Sequence, residues 1–132
     1  QLKIFDFKFI ETEEVFHKII KKKLEFPEYY GENLSAFIDC LINDLFIPED
    51  GGVAMVFIGF DTLYAKNKEV AHEILECLDI GSRRRILYGE RLVTLLQLCD
   101  EKIKIGDIGQ HTIMWNLREF SEIGKLRKEK ML

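Results

Sequence analysis

Carboxylates are the residues of this 132-residue chain best suited to chemistry, because they form a block without counter-charge. Between Leu24 and Ala65 stand Glu25, Glu28, Glu32, Asp39, Asp44, Glu49, Asp50 and Asp61, with not one lysine or arginine. The whole chain carries a net charge of only −4, so the remainder is cationic. A one-sided acidic stretch on a balanced protein suits a cationic partner, which it attracts at a distance. Other reactive residue types are scattered. His17, His72 and His111 fall in three unrelated segments. His17 lies in a cation-rich segment and is read as a surface residue rather than a base. His72, spaced with Glu69, Glu73 and Glu76, is read as part of a solvated helix face rather than a metal site. Cys40, Cys77 and Cys99 are widely spaced, odd in number and set in apolar periodic segments. That pattern predicts reduced, core-filling thiols of a cytoplasmic protein. There is no glycine-rich phosphate loop, metal-ligand pair or nucleophile elbow, so no catalysis, metal or cofactor is expected.

Inside the acidic block, Tyr29 and Tyr30 beside Gly31 put large, stiff, amphipathic rings on a loop, the residue type that anchors interfaces. In the helix expected after them, Ser35 and Asp39 are four residues apart and share a face, with Ile38 and Ile42 beside them. Taken alone, Asp39 would be a solvated charge and the isoleucines core. Loop and helix together, within an uninterrupted acidic block, read as a binding surface. Arg83-Arg84-Arg85 is a cationic knot that could meet phosphate or RNA, but its simpler role is to pair with the protein's own acids. Trp115 to Phe120 reads as a structured end rather than a site.

The elements that must position these residues follow from periodicity. Leu2–Phe9 alternates as a strand. Thr12 caps a helix with Glu13 and Glu14 in its first turn, Phe16, Ile19 and Ile20 on one face, and a lysine-rich C-terminal half that Pro27 stops. Gly31 allows a sharp turn, and Asn33 caps a second helix running to about Asp44, with Leu34, Phe37, Leu41 and Leu45 inward. The continuous apolar run Val53–Phe60 predicts a strand covered on both faces. Glu69–Leu78 is the third helix, 81–90 a loop between Gly81 and Gly89, and Leu92–Leu98 a third strand, helix being the alternative. A hairpin of Lys102–Ile105 with Thr112–Trp115 is expected next, then a short basic helix from Glu119. Strands separated by helices point to a mainly parallel sheet with right-handed crossovers.

The length fits one domain able to bury a core, and 47% hydrophobic with 32% charged residues is ordinary globular composition. No apolar run approaches the roughly 18 residues of a membrane span. The opening residues mix charges with strand formers, unlike a signal peptide, and a start at Gln1 rather than Met leaves room for residues ahead of it.

Pro27-Glu28-Tyr29-Tyr30-Gly31-Glu32-Asn33-Leu34, followed by Ala36, Asp39, Cys40 and Leu41, resembles the barstar family, intracellular inhibitors of the ribonuclease barnase. Phe16, Leu24 and the lysine-rich helix also fit that family's first helix. The likeness is close over about residues 15–45 and weaker to about 98. The loop at 81–90 and everything beyond Cys99 look like longer members with an extra C-terminal hairpin. The resemblance implies an α/β fold with a small, mainly parallel three-stranded sheet flanked by helices, plus a C-terminal β-hairpin. It implies one domain over 1–132, with a core to about 98 and an extension from 99.

By the same resemblance the chain is an inhibitor or immunity protein, not an enzyme, whose loop and second helix plug a ribonuclease active site. Asp39 would occupy the substrate-phosphate pocket. Tyr29, Gly31, Asn33, Ser35, Ile38 and Ile42 would surround it, and an acid of the third helix would complete the site: Glu76, with Glu73 and Asp79 as alternatives. The family commonly carries aspartate where this chain has Ser35 and an aromatic where it has Ile38. These departures predict a cognate nuclease other than barnase, with a more apolar rim. The expected partner is thus a basic ribonuclease or nuclease toxin of bacterial type, met by a cytoplasmic protein that is monomeric when free and touches neither membrane nor nucleic acid. Two other readings stand beside it. One is an adaptor for another basic protein, kept open by Ser35; the other is an RNA- or nucleotide-binding protein using Arg83–Arg85 and the basic tail, against which overall acidity counts.

Overall fold

The computed structural model describes residues 1–100 and 102–113. Three parallel strands, β1 (Leu2–Asp6), β2 (Gly52–Ile58) and β3 (Arg91–Gln97), form one sheet with β2 in the middle. Helices α1 (Glu13–Lys23) and α2 (Leu34–Asn43) lie on the crossover from β1 to β2, and α3 (Asp61–Lys66) and α4 (Lys68–Ile86) on the crossover from β2 to β3. The α/β class and the three-stranded parallel sheet are those expected, and β3 is a strand rather than a helix. No helix among the described residues is long and apolar enough to cross a membrane.

The core gathers against one face of the sheet. Phe5, Val53, Met55, Phe57 and Leu92 point into it and meet Phe16, Ile20, Phe37, Leu41, Ile74 and Leu78 from the helices. Phe57 stands edge-on to Phe5 at 5.4 Å and contacts Phe7 at 4.7 Å. Phe7 reaches it because β1 stops at Asp6, not Phe9. The Asp6 carboxylate accepts the Lys8 N–H and starts a single 3-10 turn, Phe7–Phe9, which folds Phe7 under the sheet. The opposite face is another matter. Ala54, Val56 and Ile58 of β2 are only half-buried, so the apolar run of the central strand does not mark cover on both sides.

Helix ends are set by local chemistry. The Thr12 hydroxyl accepts the Val15 N–H at 3.2 Å, and Lys21, Lys22 and Lys23 occupy the negative end of the α1 dipole. α1 ends before Pro27 can act on it. Glu25 takes a left-handed φ of 54°, Phe26 N–H reaches Lys21 O at 3.0 Å and Glu25 N–H reaches Lys22 O at 3.4 Å, the bond pair of a Schellman turn.

α4 departs most from expectation. It continues through the predicted 81–90 loop to Ile86, so the three arginines are helical. Gly81 is no hinge; a Cβ there would lie 3.2 Å from Leu41 Cβ and Cδ1, so its bareness lets α4 approach α2. The true turn is at Gly89, with φ 74°. α3, unforeseen, follows a sharp bend at Gly59, with φ 65°.

Beyond β3, residues 102–113 run along the outside of α3 and α4. Tyr64 donates to Lys104 O, and Arg83 Nη2 donates to Gly109 O at 2.9 Å. Of the expected hairpin, whose second strand lies partly outside the described residues, one antiparallel bridge is described, Ile108 with His111, around Gly109. Met114, Trp115 and the helix expected from Glu119 lie outside the described residues.

Candidate partner-binding site

The two adjacent tyrosines have opposite fates. Tyr30 is buried between Phe26, 5.1 Å away, and His17, to whose Nδ1 its hydroxyl is hydrogen-bonded. Burial first, and then nearby acidic groups, raise the Tyr30 phenol, which keeps its proton. In a neutral His17 ring, Nε2–H donates to the Glu13 carboxylate at 3.2 Å, which leaves Nδ1 to accept from the Tyr30 hydroxyl. His17 is thus a buried tie between α1 and the loop, not the surface residue expected from its neighbours. The signal was its spacing: one residue after Phe16 and three before Ile20, it lies on the inward face.

Tyr29 points the other way, 73% exposed, and its hydroxyl donates to Asp44 Oδ1 at 2.6 Å. That bond, more than any other influence, raises the Tyr29 phenol to about 12. The ring is therefore pinned across the surface toward the C-terminal end of α2. The loop between is shaped by Tyr30 N–H bonding to Pro27 O at 3.0 Å, and by Glu32, which takes the left-handed φ of 50°. Gly31 is not the sharp-turn residue; a Cβ on it would sit 3.1 Å from Asn33 Nδ2, which donates to Gly31 O. Asn33 does cap α2, accepting the Ala36 N–H on Oδ1 at 2.8 Å.

On α2, Phe37, Cys40 and Leu41 face inward. Ser35 and Asp39 are exposed on the opposite face, with Ile38 and Ile42 half-buried on the same outer side. Among the described residues Asp39 has no hydrogen-bond or ion-pair partner. The far end of the helix is closed by a residue that sequence reasoning placed in a loop. Arg85 is buried, and its Nε donates to Leu41 O at 2.8 Å, Nη2 to Leu45 O at 2.7 Å and Nη1 to Glu90 Oε2 at 2.9 Å. A guanidinium at a helix C-terminus satisfies the orphan carbonyls and opposes the dipole.

The remaining acids divide. Glu28 pairs with Lys21 at 3.4 Å, while Asp61 leaves the surface altogether to accept the Cys99 and Asp100 N–H groups. Glu13, Glu14, His17, Lys18 and Glu32 line a shallow cleft of about 300 Å³ beside the loop. Glu76 is half-buried on α4, 3.8 Å from His72 Nδ1, and accepts the Gly109 N–H at 3.4 Å. It stands one residue from Cys77, whose Sγ donates to Leu34 O at the start of α2. Glu76 itself is engaged by His72 and by the 102–113 segment, one residue along α4 from that contact with α2. Cys40 and Cys77 are buried, with thiols that desolvation lifts to about 11, whereas Cys99 is exposed rather than core-filling. No cluster of three metal-ligating side chains occurs among the described residues. Arg83 pairs with Asp79 at 3.1 Å, so with Arg85 buried the cationic knot is largely consumed within the protein.

Comparison with known proteins identifies the family. Residues 1–97 match the family model described as Barstar (barnase inhibitor). A Bacillus subtilis (strain 168) protein named "Putative ribonuclease inhibitor YrdF" is 33% identical over 101 residues, covering 76% of this chain and 87% of the relative. With its parallel sheet, capped second helix and Tyr-Tyr-Gly loop, the chain belongs to the barstar family.

Proposed function

We propose that this protein inhibits a basic ribonuclease by seating the loop 27–33 and the outer face of α2 in the enzyme's active site. The observation that carries this reading is Asp39: an exposed carboxylate, unpartnered among the described residues, on a helix fixed at both ends, by Asn33 and Arg85, in a stretch without lysine or arginine. A ribonuclease must present cations to a phosphate, and Asp39 offers them a carboxylate in its place. Tyr29 is the aromatic anchor beside it, and Ser35, Ile38 and Ile42 form a neutral to apolar margin. That margin suits a nuclease with an apolar rim better than barnase. In this reading it acts in the bacterial cytoplasm as an immunity protein.

The test is an inhibition titration against basic extracellular ribonucleases, barnase included, with the wild type, Asp39→Ala and Arg84→Ala. Removing one member of a buried interfacial charge pair costs about 2–5 kcal/mol, a range for which barnase–barstar is itself a reference case. Asp39→Ala should therefore weaken inhibition roughly 30-fold or more. Arg84→Ala should leave it unchanged. Loss of binding in Arg84→Ala alone would overturn the reading, and tight inhibition of barnase would overturn the assigned specificity.

A further inference from the structure

The sheet face turned away from the helices is an ordered apolar grid. Parallel register aligns Leu2, Ala54 and Val93 in one row, Ile4, Val56 and Leu95 in the next, and Asp6, Ile58 and Gln97 in the third. Leu2, Ile4, Val93 and Leu95 are 59%, 43%, 51% and 53% exposed. No described helix or loop covers them. Contiguous apolar surface left uncovered in this way is open to contact with another molecule. Its two charges occupy opposite corners: Asp6 at the C-terminal end of β1 and Arg91, beside Gly52, at the N-terminal end of β3. Neither is in an ion pair among the described residues. Two identical faces stacked about 10 Å apart and crossed near a right angle, a regular packing of sheets, place Arg91 of each copy over Asp6 of the other.

We infer that this face is a self-association surface through which two copies of the chain pair, with apolar rows in the middle and an Arg91–Asp6 contact at each of two corners. This departs from the monomer expected from sequence. Three strands about 4.8 Å apart, of 5, 7 and 7 residues, present far less than the roughly 800 Å² per partner of a standard interface. The dimer is accordingly weak and concentration-dependent. Because Asp39 lies on the outer face of α2, across the core from this sheet face, the dimer leaves both copies free for a ribonuclease.

Sedimentation equilibrium of the full chain from roughly 1 μM to 1 mM, in reductant, tests this. The wild type should shift from monomer to dimer, and Val93→Lys should weaken association more than tenfold while keeping the native circular dichroism. Asp6→Arg and Arg91→Asp should each weaken it, and the two together should restore it. A wild type that stays monomeric throughout overturns the inference, and is the result expected if residues 114–132 or another protein cover the face. A dimer that persists in Val93→Lys, or a double charge swap that fails to restore it, overturns it as well.

Discussion

Asp39 and Asp44 lie on one helix and its cap, yet only Asp44 has been claimed from within. Tyr29 spends that carboxylate on holding its own ring, and Asp39 has no partner among the described residues. Position 35 then decides how much charge the surface offers. Ser35→Asp should tighten binding to barnase by roughly tenfold or more, read from the inhibition constant, because it adds a second exposed carboxylate one turn from the first. The buried pair behind the loop is a matter of folding. His17→Leu leaves the Tyr30 hydroxyl and the Glu13 carboxylate without their partner, and should cost about 1–3 kcal/mol in urea unfolding. The exposed polar positions of the loop and α2 were legible in the sequence, and the buried polar ties behind them were not. Tyr29, Asn33, Ser35 and Asp39 announce themselves by type, whereas His17 and Arg85 look like ordinary surface residues until the packing of two helices supplies their acceptors.

At the scale of elements, the candidate site is α2 held between two clamps. Arg85→Met would strip Leu41 O, Leu45 O and Glu90 of a donor at once and should cost about 2–4 kcal/mol, measured by urea midpoint. Gly81→Ala sets two effects against each other. Alanine favours a helix interior over glycine by about 1 kcal/mol, but its methyl would press on fully buried Leu41 at the α2–α4 crossing. The contact should win, with a net loss of about 1–2 kcal/mol. Glu25→Gly runs the other way: with φ 54° in the Schellman turn, glycine should stabilise by about 1 kcal/mol. Strand and helix periods made β1, α1, α2, β2 and β3 legible. The end of α4 was not, since Gly81 reads as a breaker when its real office is proximity, and α3 is too short to show a period.

For the whole molecule, pH and salt act on different parts. Burial raises the Cys40 and Cys77 thiols to about 11 from an ordinary 9.0. Between those values the unfolded chain has released protons that the native one keeps, so stability is complete below about pH 9 and declines as pH rises toward 11. Cys77→Ala should flatten that decline in denaturation measured across pH 8–11. Salt should instead slow capture of a basic partner, because the exposed acids from Glu25 to Asp50 act over a Debye length of about 10 Å at 0.1 M. One arrangement reaches further. The loop and α2 lie entirely on the crossover between Asp6 and Gly52, so β1 cannot join β2 until that long segment has closed. Closing a loop costs entropy before any pairing repays it, which makes this step slow. The chain that has completed its sheet has therefore already gathered its binding surface, and a newly synthesised copy becomes able to recognise a nuclease only as it becomes native.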